Sequence, residues 1–167
     1  QHKGVTQHGV IYDPVKDELF SASHGRGAMM NQRRIRVNIK DSLENTFLSV
    51  GHAYRAKRNG EMVSYAKNHF ESLLAVTEQG AQYRRSGSAA LDLAYVAAGR
   101  FDGYFELGLK PWDIAAGELI VKEAGGTVVD ARGGTDSMEN GQVLACSMKM
   151  LKPLMQAVVP AWGEAAK

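Results

Sequence analysis

The stretch Pro111-Trp-Asp-Ile-Ala-Ala-Gly-Glu-Leu-Ile-Val-Lys-Glu-Ala-Gly-Gly126 sets an ionisable group at a structural boundary, and the rest of the chain is best read outward from it. It predicts a helix. Pro111 stands just ahead of the start, Asp113 offers an N-cap carboxylate, and Ile114, Ala115, Ala116, Leu119, Ile120, Val121 and Ala124 form an apolar body that stops at Gly125-Gly126. Glu118 and Lys122, four apart, are expected on the solvent face. Asp113 keeps two readings at this level. It is a cap and nothing more, or it is a carboxylate at a helix mouth, where free N–H groups also welcome an anion, holding a cation beside that anion.

Upstream, Gln82 to Arg85 reads as a short strand, and Ser86-Gly87-Ser88-Ala89-Ala90 opens a second helix that runs through Leu91, Leu93, Ala94, Val96 and Ala97 to Gly99. Gly103 to Glu106 returns as a strand. Downstream come a strand at Thr127 to Asp130, a turn at Gly133-Gly134, a strand at Gln142 to Cys146 and a closing helix from Met148 to about Ala165. Strands that alternate with helices in this way argue a layered α/β unit. The first forty residues differ. Val5 to Tyr12 and Glu18 to Ala22 form a hairpin around Asp13-Pro14, with Gly25 to Gly27 and Asn31-Gln32 as further turns, so this part reads as an antiparallel meander. A strand is expected at Asn45 to Val50, a polar loop from Gly51 to Gly60, and a helix from Glu61 to Glu78 ending at Gly80. The expected seam divides residues 1–55 from an alternating portion at 56–167.

Composition narrows the function. Hydrophobic residues make up 44% and charged residues 23% of 167, and no apolar run approaches the ~18 residues of a membrane span. The single cysteine, Cys146, cannot form an internal disulfide, which makes a cytoplasmic setting the expectation. A net charge of +2 is too small for nucleic-acid binding through the global field, although Arg33-Arg34-Ile35-Arg36 and Arg55 to Arg58 are local basic clusters, read as solvated faces. The five histidines are scattered without metal-ligand spacing. Gly87, Ser88 and Ala89 carry small side chains at a helix start, where backbone N–H groups can approach a ligand or simply pack tightly. Glu106 ends a strand, a place where α/β sheets put ligand contacts and where plain surface is equally common. Glu123 lies about ten residues from Asp113 along a helix of ~1.5 Å rise, so it serves the helix end rather than a shared metal.

Two blocks, Trp112 to Gly126 and Arg85-Ser-Gly-Ser-Ala-Ala-Leu-Asp-Leu-Ala-Tyr-Val-Ala-Ala-Gly-Arg-Phe-Asp-Gly-Tyr-Phe-Glu106, together with the hairpin Gly9 to Phe20, resemble the inositol monophosphatase family, and most nearly its bacterial SuhB type. The likeness runs through essentially the whole chain. It implies an α/β class fold, the C-terminal part of the α/β/α/β/α sandwich of the inositol monophosphatase and fructose-1,6-bisphosphatase type. It also implies a Mg2+-dependent, lithium-sensitive phosphatase acting on inositol phosphate, usually a homodimer. Within that resemblance Asp113 matches a catalytic metal ligand, Glu106 a carboxylate that binds inositol hydroxyls, and Gly87, Ser88 and Ala89 the loop touching the substrate ring. The SuhB likeness further implies contacts to the transcription machinery in antitermination and ribosomal RNA maturation, with Arg33, Arg34, Arg36, Arg84 and Arg85 as candidate contacts. A related sugar-phosphate phosphatase is the enzymatic alternative. The family's Glu-Glu element and its Asp-Pro-Leu-Asp-Gly-Thr motif do not occur, and Asp13-Pro14-Val15-Lys16-Asp17 lacks the Gly-Thr. The chain is therefore expected to be a C-terminal fragment, inactive alone.

Overall fold

The computed structural model describes residues 2–51, the strand at 55–58 and residues 60–163. Strands β1 (His8–Asp13), β2 (Glu18–Ser23), β3 (Gly27–Met30) and β4 (Arg33–Arg34) form an antiparallel meander in that order. The positive φ of Asn31 (46°) and Gln32 (65°) closes the two-residue turn between β3 and β4, as the polar dipeptide suggests. A second sheet takes the order β10 (Gly126–Val129), β11 (Val143–Ser147), β9 (Gly103–Glu106), β5 (Phe47–Val50) and β8 (Gln82–Arg84). Strand β5 runs parallel to β8 and β9, whereas β11 is antiparallel to both its neighbours.

Helices α2 (Ala89–Ala97) and α3 (Pro111–Glu123) lie between the two sheets, and α1 (Ala66–Glu78) packs with α5 (Met148–Trp162) on the far side of the second. The two-residue period of the strands makes this layering. Tyr104, Val128, Val143 and Ala145 enter the core around α2 and α3, while their neighbours Phe105, Val129, Leu144 and Cys146 enter the core under α1 and α5. A sheet covered on both faces has no polar side to alternate with, and all five residues of β11 are buried. The Cys146 thiol sits inside that sheet, where burial pushes its pKa up to about 12 and leaves it inert.

The structure corrects several expectations. Glu61–Ser64 is strand β7, paired with β6 (Arg55–Arg58), so the helix expected from Glu61 begins at Ala66 and the expected loop before it contains a strand. Met62 and Val63 fit a helical period, but the antiparallel register of β6 with β7 takes them into a strand, with Gly60 at φ +87° just before it. A short helix α4 (Ser137–Asn140) lies where only a loop was expected. The end of the closing helix expected at Ala165 lies outside the described residues. Glu118 is buried rather than on a wet face, because α3 is packed by β1 and β2 on one side and by α2 on the other. Lys122 reaches it as an ion pair. Gly117 is what lets the two helices close up, since a Cβ there would stand 2.6 Å from Leu93.

The hairpin is fastened to α2 by charge. Arg100 donates two hydrogen bonds to Glu18, at 2.6 and 2.7 Å, and lies over the Tyr95 ring, while the Tyr95 hydroxyl donates to Asp13 at 3.0 Å. The Arg100 guanidinium lowers the Glu18 pKa below its ordinary value. Burial pushes the Asp13 carboxyl up, but the Tyr95 hydroxyl and the Lys16 and Val15 N–H groups outweigh it and the net shift is downward. A lowered folded-state pKa contributes stability above the unfolded value and loses it as pH falls through the folded one. Melting temperature is therefore expected to fall as pH drops below about 4, the ordinary carboxylate range, and to fall less steeply in Glu18→Gln, as followed by circular dichroism.

Candidate functional site

Helix α3 starts one turn differently from its sequence reading. Pro111 takes the first helical position, where its missing N–H costs nothing, and this makes Lys110 the N-cap and puts Asp113 at the third helical position. Asp113 still serves the helix start, because its Oδ2 accepts the Lys110 N–H at 2.9 Å while its own N–H donates to the Lys110 carbonyl. Oδ1 carries no hydrogen bond among the described residues, and the side chain is half-buried. At the other end of α3, Glu123 accepts the N–H groups of Gly25 (2.6 Å) and Gly27 (2.7 Å), which fits its expected role as a helix-end group.

Helix α2 begins at Ala89 with Ser88 as N-cap. Its first amides, on Ala89 and Ala90, have no hydrogen-bond partner among the described residues, as the geometry of a helix start requires. Gly87, just before, has φ +88°, a left-handed backbone that excludes most side chains at low cost. Glu106 ends β9 and accepts the hydroxyl of Tyr104. Burial first, then the charges and hydrogen bond of the neighbouring carboxylates, hold the Tyr104 hydroxyl pKa well above its ordinary value, so it stays a donor. Gly51, after β5, runs beneath the Glu106 carboxylate. A Cβ built on Gly51 would overlap that carboxylate.

These parts meet in one cleft of about 320 Å³. Gly87, Ser88, Ala89, Glu106 and Asp113, all five residues singled out from the sequence, line it. So do Gly51, Arg85, Asp92 and Leu109, to which the sequence reading assigned no part in the substrate site, Arg85 having been named only as a candidate contact to the transcription machinery. Asp92 is buried, and burial raises its carboxyl pKa against the opposing hydroxyls of Ser49 and Ser86. It reads in sequence as an ordinary residue inside an apolar helix. Chemically the cleft joins an arginine and unpaired helix-start amides, which favour an anion, to carboxylates that accept hydroxyls or hold a cation. Among the described residues no group of three His, Cys, Asp or Glu side chains is placed to hold a metal ion. Asp113 can give a Mg2+ ion one carboxylate oxygen, which suits an ion commonly held by one or two carboxylates with water and phosphate oxygens. It does not complete a site.

The model of the inositol monophosphatase family matches residues 1–162. The chain belongs to the inositol monophosphatase family. Within this family it is 45% identical over 153 residues to the protein named Nus factor SuhB of Escherichia coli K12, covering 92% of this chain and 55% of that one. Among solved structures, the extragenic suppressor protein suhB of Bartonella henselae superposes with a TM-score of 0.83 at 40% identity, covering 93% of this chain and 57% of that one. The inositol monophosphatase of Anabaena superposes with a TM-score of 0.82 at 39% identity, covering 94% and 62%. The layered α/β fold expected from the resemblance is thus the fold of these inositol monophosphatases. The chain spans rather more than half the length of the relatives it matches. No described helix is long and apolar enough to cross a membrane.

Proposed function

We propose that this chain is the C-terminal part of a Mg2+-dependent phosphatase that hydrolyses inositol monophosphate to inositol and phosphate. The observation that carries the reading is the convergence of Asp113, Glu106 and the Gly87–Ser88–Ala89 helix start on one cleft with Arg85. Glu106, held by Tyr104, accepts hydroxyls of the polyol ring. The α2 amides and Arg85 draw the phosphate charge. Asp113 gives one oxygen to the metal, whose chemistry is to neutralise phosphoryl oxygens and activate a water. An upstream portion supplies the remaining ligands, so the 167-residue chain alone is inactive. Lithium inhibition and a homodimeric state belong to the same proposal.

The test is Mg2+-dependent phosphate release from inositol 1-phosphate by the full-length protein. Asp113→Asn is expected to lower kcat by at least 100-fold, the scale of losing a charge interaction of about 3 kcal/mol. Activity retained in Asp113→Asn removes that residue from the metal site, and a full-length protein without activity removes the assignment.

A second reading is supported by the name Nus factor SuhB carried by relatives 45% identical. In it the full-length protein contacts the transcription machinery through surfaces other than the cleft. Retained capture of elongation factors by Asp113→Asn is the expected outcome, and loss of capture together with metal binding would make the two roles one.

A further inference from the structure

The two walls of the cleft come from segments far apart in the chain. Gly51, at the end of β5, passes beneath Glu106, and Gly87 to Ala89 open α2 opposite. The crest of that second wall is open on the side where a Cβ on Gly87 would stand, with nothing within 4 Å of that position. The wall is held at both ends. One end is α2 itself, capped weakly by Ser88 at 3.4 Å from the Leu91 N–H. The other is Ser86, whose hydroxyl donates to Oδ1 of Asp92 at 2.6 Å. The same Oδ1 accepts the hydroxyl of Ser49, on β5 two residues before Gly51. Ser49 and Asp92 are 0% and 1% exposed, while Ser86 stands at the surface.

We propose that the Ser49–Asp92–Ser86 chain of hydrogen bonds positions the substrate wall, with Asp92 as the positioning residue that fixes the Gly87–Ala89 loop and the α2 amides relative to Gly51 and Glu106. A buried carboxylate is costly to desolvate, and holding two hydroxyls on one oxygen is what a charge does better than a neutral acceptor. An apolar side chain at position 92 would pack at lower cost and leave both hydroxyls unpaired and the loop free to drift. A shift of the order of 1 Å in such a wall is enough to weaken contacts to a ligand across a narrow cleft. Asp92 acts through Ser86 on residues that touch substrate, so its effect falls on binding more than on chemistry. The consequence for substrate rests on the cleft being the polyol phosphate site; the tie itself does not.

The experiment compares Ser86→Ala, Asp92→Asn and Asp92→Ala in the full-length protein by amide hydrogen exchange over residues 84–90 and by KM and kcat for inositol 1-phosphate. Ser86→Ala removes one of the two hydroxyls on the buried Asp92 carboxylate and leaves that of Ser49, so the melting temperature is expected to fall by only a few degrees while exchange at 86–89 quickens about tenfold. KM is expected to rise about tenfold, and kcat to change by less than about threefold. Asp92→Ala shifts exchange and KM further. Asp92→Asn, whose carbonyl oxygen can take both hydroxyls, recovers most of the loss. Unchanged exchange at 86–89 in both Ser86→Ala and Asp92→Ala overturns the proposal whatever the substrate. Exchange that quickens in these variants, when the wild-type protein does not turn over inositol 1-phosphate, upholds the tie and overturns the substrate reading instead.

Discussion

Replacing Gly51 by alanine is expected to raise KM for inositol 1-phosphate by about 10- to 100-fold in the full-length protein, the scale of one hydrogen bond to a charged group. Gly51 does not need glycine for its backbone, since its φ is not among the positive values. It needs glycine for space, because its missing Cβ is where the Glu106 carboxylate lies. The two groups cannot share the position, and the cheaper movement is rotation of the Glu106 side chain. That rotation breaks the bond from the Tyr104 hydroxyl, and Tyr104 is fully buried, so its hydroxyl is left without an acceptor at a cost of about 1–3 kcal/mol. Urea unfolding and steady-state kinetics read the two consequences separately. The decisive comparison is the Gly51→Ala/Glu106→Ala double variant. Once the carboxylate is gone the added methyl group has room, so the effects of the single variants should fail to add by more than about 1 kcal/mol. Additive effects would mean that Gly51 and Glu106 do not share this space.

Trp162→Ala is expected to cost about 3–5 kcal/mol, the usual price of removing a buried indole. The side chain is 1% exposed and closes the end of α5 against the core shared with α1, next to Tyr65, His69 and Phe105. Asn68 on α1 fastens the same corner by donating to the Ala161 carbonyl at 2.9 Å and the Trp162 carbonyl at 3.1 Å. At roughly 2–4 °C per kcal/mol for a chain of this size, the melting temperature should fall by about 10 °C. Trp112 is the control. It is 78% exposed beside Asp113, and Trp112→Ala is expected within about 0.5 kcal/mol of wild type. Similar losses for the two variants would contradict the burial of Trp162.

Trp112 and Trp162 also mark where reading from sequence stops, since nothing in the flanking residues ranks one as core and the other as surface. Helices α2 and α3 and the hairpin β1–β2 were legible because each carries its own signal, a 3.6-residue period with a Gly stop or an alternation around a Pro turn. The stretch at 61–64 misled because Met62 and Val63 continue the helical spacing of the residues after them, whereas pairing with β6 makes it a strand. Glu118 misled because an i, i+4 charge pair describes one helix face and says nothing of what packs on it.

Local chemistry, then, determined by itself most of the elements, the residue types able to bind phosphate, hydroxyls or a cation, and the resemblance that the family match bears out. Only the tertiary structure decided that Gly51 makes room for Glu106, that Arg85 and Asp92 line the cleft with Asp113, and that Ser49 reaches Asp92 across 43 residues of chain. The reason is physical. Helical and strand periods are written in neighbouring residues, whereas a shared cavity or a buried hydrogen bond depends on which surfaces the packed layers bring face to face.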